Sequence, residues 1–148
     1  MSVKGSTALK IAVSQTERQQ VMDLLQQQKL PVSDIKEETL LYKLTEDDNL
    51  IGTAGLDIFD DCALLRSVSV SGEIRGKGYG KILNDEIEQL AKDNGVNCMY
   101  LITHTAKDFF DRQGYTVIDR TTAPDAIKQT DQFTGLCPSS AVVMKKYI

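Results

Sequence analysis

The chain has no tryptophan, one histidine, three prolines and three cysteines. With His104 as the sole histidine, a multi-histidine metal centre is excluded. The cysteines are Cys62, Cys98 and Cys137, an odd number with no CxxC spacing among them. That argues against a zinc knuckle and fits a reduced, cytoplasmic protein. No apolar run approaches the ~18–20 residues of a membrane span. The opening Met-Ser-Val-Lys-Gly-Ser-Thr lacks the apolar stretch, roughly 7–15 residues, of a secretory leader. Positive charge is also in short supply. Lys and Arg number 17 against 21 Asp and Glu, leaving a net charge of -4. A surface that binds polyanions as a whole carries the opposite sign, so neither nucleic acid nor a membrane is an expected partner. A local basic site stays open.

What is present reads as one soluble domain over residues 1–148. At this size about 68–70% of the unfolded surface is buried, enough for a core without staples. The hydrophobic fraction is 41% and the charged fraction 26%, close to a globular average. Leu9–Val13 reads as a strand. Ser14 and Glu17 form a capping-box pattern, and Val21, Leu24 and Leu25 follow at helical spacing. Pro31 closes that segment, and Ser33–Asp34 suggest another turn. Leu40–Leu44 and Leu50–Phe59 read as strands joined by the polar turn Glu46–Asn49. Leu64–Val70 is a further strand. The next helix opens near Gly80, carries Ile82, Leu83, Ile87, Leu90 and Ala91 on one face, and stops at Gly95. Val96–Thr103 is a strand. Ala106, Phe109 and Phe110 mark a short helix ending near Gly114. Tyr115–Ile118 and Ala141–Tyr147 are strands, and Pro124–Thr130 holds one or two helical turns. This order predicts an α/β or α+β sheet with helices on both faces.

The most informative stretch is Arg75-Gly76-Lys77-Gly78-Tyr79-Gly80-Lys81, between a strand and a helix. Glycines let backbone amides approach a ligand closely. The first amides of a helix have no partner within it, and the helix dipole favours negative charge there. Together these features make a phosphate cradle. Arg75, Lys77 and Lys81 add three positive charges with no acid between them. The glycines at 76, 78 and 80 do not fit the dinucleotide pattern G-x-G-x-x-G. Arg75 and Ile82 stand where a P-loop needs glycine and Ser or Thr. A solvent-facing turn is the plain alternative.

Arg75-x-x-Gly78-x-Gly80 resembles the acyl-coenzyme-A signature R/Q-x-x-G-x-G/A of the GNAT N-acetyltransferases. Leu65–Val70 resembles that family's splayed fourth strand. Ala106-x-x-Phe109-Phe110-x-x-x-Gly114-Tyr115 is similar to its A-x-x-F-Y-x-x-x-G-F segment. The resemblance implies a mixed, mostly antiparallel sheet of six to seven strands and transfer of an acetyl group from acetyl-CoA to an amine, without a metal. A narrower likeness, carried by Thr103–Ala106 and by Pro124…Gln132-Phe133…Leu136-Cys137-Pro138, is to arsenic-resistance N-acetyltransferases. A looser one is to the acetyltransferase domain of N-acetylglutamate synthases. Both imply a small amino-acid-like acceptor.

By the same resemblance, the pantetheine arm of the coenzyme pairs with backbone at Val68, Ser69 and Val70. Its pyrophosphate rests on Arg75, Gly76, Lys77, Gly78, Tyr79, Gly80 and Lys81. Thr103, Thr105 and Phe109 complete the coenzyme site, with Thr105 a helix cap in the alternative. On a regular strand Leu64, Arg66, Val68 and Val70 share one face. Leu64 and Arg66 are then placed to meet the acceptor. Arg66 cannot act as a base, and either grips a substrate carboxylate or pairs internally with Asp57 or Asp61. His104 is the one candidate to accept the amine proton, or else an exposed capping residue. Phe110 stands where the family often has an acidic tyrosine, so it reads as core. Cys137 reads as a small buried hydrophobe rather than an acyl relay. The competing functions are an acyl-CoA-binding sensor without turnover and a protein lysine or N-terminal acetyltransferase. A homodimer is compatible with all three.

Overall fold

A computed structural model describes residues 7–11, 15–27, 29, 32, 35–47, 49–70, 78–104, 106–130, 133 and 141–148. The elements run β1 (Thr7–Ile11), α1 (Gln15–Gln27), β2 (Leu40–Glu46), β3 (Asn49–Phe59), β4 (Cys62–Val70), α2 (Tyr79–Asp93), β5 (Cys98–Thr103), α3 (Lys107–Arg112), β6 (Thr116–Ile118), α4 (Asp125–Lys128) and β7 (Val142–Tyr147). Between β6 and α4 lies a 3-10 turn, Arg120–Thr122, which the sequence pattern does not announce. The strands hydrogen-bond in the order β1-β2-β3-β4-β5-β7-β6. Two-residue connections join β2 to β3 and β3 to β4, which only antiparallel neighbours allow. Asp47 and Asp60 take φ of 51° and 57° there, a left-handed conformation that short polar Asp tolerates. β4 and β5 are the parallel pair, in register from Cys62↔Cys98 to Leu65↔Leu101. Mixed, mostly antiparallel pairing is therefore what the chain forms.

The chain divides into two compact units, residues 1–55 with 67–87, and residues 56–66 with 88–148. In the first, β1 pairs with β2 from Thr7↔Glu46 to Ile11↔Tyr42. The helical spacing of α1 buries Val21 and Leu25 completely against Leu41, with Val32 and Ile35 at the margin. Each such side chain contributes about 1.5–3 kcal/mol by leaving water. Arg18 ties α1 to the segment before β2, donating to the carbonyls of Thr39 and Lys36 at 3.1 and 2.9 Å. β3 is buried on both faces from Ile51 to Leu56, as an interior strand must be.

In the second unit, Cys62, Leu64, Cys98, Tyr100, Ala123 and Ile127 form one apolar cluster. The α2 face is narrower than its spacing predicts. Leu83, Ile87 and Ala91 are fully buried, but Ile82 is 42% exposed, because it sits a full residue off the 83–87–91 stripe. Both Gly95 and Gly114 close helices at φ 86° and 96°. Val96 and Gly95 donate to Ala91 and Lys92, and Tyr115 and Gly114 donate to Phe110 and Asp111. These are the paired bonds of a Schellman stop. Tyr115 thus belongs to the end of α3, and β6 starts one residue later than expected. Ser14, Pro31, Ser33 and Asp34 lie outside the described residues. No helix among the described residues is long and apolar enough to cross a membrane.

Candidate coenzyme and acceptor site

β4 is not a regular strand. Ser67 has φ 56°, a left-handed residue inside a strand, as in a bulge. The alternation that puts Leu64 and Arg66 on one face therefore does not carry unchanged to Val68 and Val70. The bulge is held from β3. Thr53, fully buried, donates its hydroxyl to the Ser67 carbonyl at 2.7 Å. Gly52 beside it admits a close approach, since a Cβ there would lie 3.0 Å from the Ser69 carbonyl oxygen. Sequence reasoning missed both residues. Gly52-Thr53 inside an apolar strand was the available signal, because an isolated strand glycine marks a bulge or a close backbone approach.

Past β4, Arg75, Gly76 and Lys77 lie outside the described residues, and so does Thr105. Gly78 is described, with φ 86° and open space around it. The first helical bond of α2 runs from the Ile82 amide to the Gly78 carbonyl at 3.3 Å. The amides of Tyr79, Gly80 and Lys81 therefore have no carbonyl one turn back within the helix, at the positive end of a 15-residue dipole. That arrangement fits a phosphate-bearing coenzyme. Lys81 is exposed and paired with Asp85 at 2.7 Å. Exposed i,i+4 pairs are worth under about 1 kcal/mol, so this pair costs little to break.

Of the acceptor residues, Leu64 is fully buried in the apolar cluster. Arg66 is 4% exposed, with Nη1 3.6 Å from Asp57 Oδ2. The internal ion pair is thus present. His104 follows β5 and is exposed. Thr103 Oγ1 accepts the Ala106 amide at 2.9 Å. It therefore supports the start of α3, a role that the sequence offers Thr105 only as an alternative to the coenzyme site. Phe109 is half-buried, and its ring meets Phe110 edge-on at 5.0 Å. Phe110 in turn meets Tyr115 at 5.5 Å. Phe110 is 5% exposed, as a core residue should be.

Tyr115 is buried, and among the described residues its hydroxyl makes no hydrogen bond of good geometry, although the Glu88 carboxylate lies near it. Burial pushes its pKa well above 10, and the Glu88 carboxylate adds to the shift. Glu88 is engaged by Lys146, whose Nζ donates to both carboxylate oxygens at 2.8 and 3.1 Å and to the Gln113 carbonyl at 2.7 Å. This network pins the end of α3 to β7. Cys137 lies outside the described residues.

Residues 9–115 match the acetyltransferase (GNAT) family. The chain is 35% identical over 65 residues to an uncharacterized N-acetyltransferase of Chlorobaculum tepidum, a match spanning 44% of this chain and 41% of that protein. The N-acetylglutamate synthase of Neisseria gonorrhoeae, solved with coenzyme A and N-acetyl-glutamate, superposes at TM-score 0.78 and 18% identity. That likeness covers 99% of this chain and 36% of the synthase. A GNAT acetyltransferase of Staphylococcus aureus superposes at TM-score 0.73 and 14% identity over 96% of this chain and 99% of its own. The two solved structures share the fold, and the match over residues 9–115 shows the lineage: this chain belongs to the GNAT acetyltransferase family.

Proposed function

We propose that the 148 residues form one acetyltransferase domain that moves an acetyl group from acetyl-CoA to the amine of a small amino-acid-like acceptor. The observation that carries this reading is the left-handed Ser67 inside β4 followed by the N-terminal turn of α2 at Tyr79, Gly80 and Lys81. A bulge frees strand backbone from its ladder, which suits Val68, Ser69 and Val70 to pair with an amide-bearing arm. The α2 amides, with Arg75, Gly76, Lys77 and Gly78, suit its pyrophosphate. Acetyl-CoA supplies an activated thioester. Holding it against the amine is the main task, since alignment alone is worth roughly 7–11 kcal/mol at best. The amine nitrogen forms the new C–N bond, the C–S bond breaks, and one proton passes from nitrogen to the leaving sulfur. His104, exposed at the end of β5, is our candidate for taking the amine proton, with water as carrier. Phe110 cannot supply a proton, so Thr103, Thr105 and Phe109 are assigned to positioning.

An acceptor carboxylate would reach Arg66 by sharing or taking over the guanidinium that Asp57 pairs in this structure. A guanidinium held by Asp57 keeps its fork oriented, and a fork binds carboxylates with two bonds. The synthase structure, which holds N-acetyl-glutamate, supports acidic amino acids as the acceptor class. The narrower resemblance through Thr103–Ala106 adds acid-mimicking amino acids to that class.

The test is an acceptor panel: acidic and neutral amino acids, their α-amides, phosphinate and arsenic analogues of glutamate, and lysine peptides. Initial thiol release is measured for each. We expect acidic amino acids to lead, and Arg66→Lys to raise their KM more than it lowers kcat. Preference for lysine peptides would replace the small-acceptor reading. Tight acetyl-CoA binding without turnover on any amine would make the protein a sensor.

A further inference from the structure

Cys62 and Cys98 are 36 positions apart in sequence, yet they face each other across the parallel ladder as direct register partners. Residues paired this way in a parallel sheet point to the same side. Both thiols accordingly lie in the cluster with Leu64, Tyr100, Ala123 and Ile127. Both are free and nearly buried, at 9% and 6% exposure. The turn Asp60–Asp61, next to Cys62 in sequence, is exposed. Cys62 donates weakly to the Phe59 carbonyl at 3.5 Å.

Two readings of such a pair compete, and geometry separates them. Neighbouring strands are about 4.7–4.9 Å apart, and in-register side chains stand side by side at that spacing. A disulfide wants its Cβ atoms about 3.5–4.5 Å apart, so closing one here distorts the ladder. Two metal–thiolate bonds of about 2.3 Å laid end to end span about 4.6 Å. A linear sulfur–metal–sulfur unit therefore matches the strand spacing without backbone movement.

The donor set then selects the ion. Among the described residues no group of three or more His, Cys, Asp or Glu side chains could hold a metal. Zinc, which takes four ligands in closed sites, is not served. Soft ions that thiolates favour and that accept two ligands are. We propose that Cys62 and Cys98 form a two-thiolate site for a soft two-coordinate cation of the copper(I), silver(I) or mercury(II) class. Binding forms two metal–sulfur bonds and releases two thiol protons to water, with no change of oxidation state. A divalent ion leaves a neutral unit, and a monovalent one leaves a single negative charge. Tyr100 lies on the same face of β5, two residues from Cys98, in the same cluster. Lys145 Nζ lies 5.7 Å from the Tyr100 ring, and its cationic head balances a monovalent complex.

The test does not read acetyl transfer. The full chain carrying Cys137→Ala is reduced without oxygen and titrated with copper(I), silver(I) and mercury(II) against a competing chelator. Native mass spectrometry gives stoichiometry, and X-ray absorption gives the ligand count. The expected result is one ion per chain with two sulfur neighbours, and zinc(II) failing to displace it. Adding Cys62→Ala or Cys98→Ala should weaken binding by about 100-fold or more, at the upper end of what loss of even a supporting group costs. Unchanged affinity in either variant overturns the proposal. So does a sulfur count other than two in the Cys137→Ala protein. Recovery of a Cys62–Cys98 disulfide in place of the loaded form also overturns it.

Discussion

The Thr53 hydroxyl and the Ser67 carbonyl meet at 2.7 Å inside the core, and this bond holds the left-handed residue of β4. Thr53→Val keeps shape and removes the donor, so it should cost about 1–3 kcal/mol, read from the urea midpoint. It should also weaken acetyl-CoA binding by calorimetry, and Thr53→Ser should restore both. Ser67 could not be anticipated. Leu64–Val70 alternates like any strand, and the strain is imposed by tertiary contacts at Gly52 and Thr53. Arg75, Lys77, Lys81 and the glycines among them, by contrast, announce their chemistry locally. Tyr115 gives a second prediction at this scale. Its pKa is raised in the folded state, first by burial. The folded protein then keeps a proton that the unfolded chain releases near pH 10. Stability from this group is full below pH 10 and is lost as pH rises above it. Tyr115→Phe should flatten that alkaline decline. Near pH 7 it should shift stability by about 1 kcal/mol or less, because the hydroxyl makes no hydrogen bond of good geometry among the described residues. Chemical denaturation at pH 7 and pH 10.5 checks both.

Helix ends test how far local sequence controls the elements. Gly95 and Gly114 make the same Schellman closure, but a Cβ at Gly95 meets nothing within 4 Å. At Gly114 it would lie 3.3 Å from Lys146 Cε, and that lysine is committed to Glu88 and Gln113. Gly95→Ala should cost about 1 kcal/mol, the backbone penalty alone. Gly114→Ala should cost more, toward about 3 kcal/mol, and Gly114→Ala with Lys146→Met should recover part of the difference. Thermal unfolding of the four proteins measures this. These stops, the α1 stripe of Val21 and Leu25, and most strands were legible because each depends on local spacing. The Cys62–Cys98 pairing was not. It arises where β5 returns parallel to β4 after a long crossover through α2, a juxtaposition that separation along the chain conceals. Arg120–Thr122 was missed for a related reason. Its arginine is used to bond the carbonyls of Ala141 and Phe133 at 3.0 and 3.2 Å, distant groups that no local pattern reveals.

The whole molecule carries -4, and its one basic run is Arg75, Lys77 and Lys81. An acidic protein that binds a polyanionic coenzyme through three local cations should show strongly salt-dependent affinity, since exposed charges are screened over about 10 Å at 0.1 M. Acetyl-CoA binding should weaken as salt rises, and Arg75→Gln with Lys77→Gln should both weaken it and flatten the dependence. Calorimetry at several salt concentrations reads this directly. The acetyl-transfer claim itself is tested most directly by mass spectrometry of products. The protein is incubated with acetyl-CoA labelled in the acetyl carbon and a mixture of free amino acids and lysine peptides. The account predicts label on the α-amine of a free acidic amino acid, with one coenzyme A thiol released for each acetyl moved. Label on peptide lysines alone, or thiol release with no labelled amine, would contradict it.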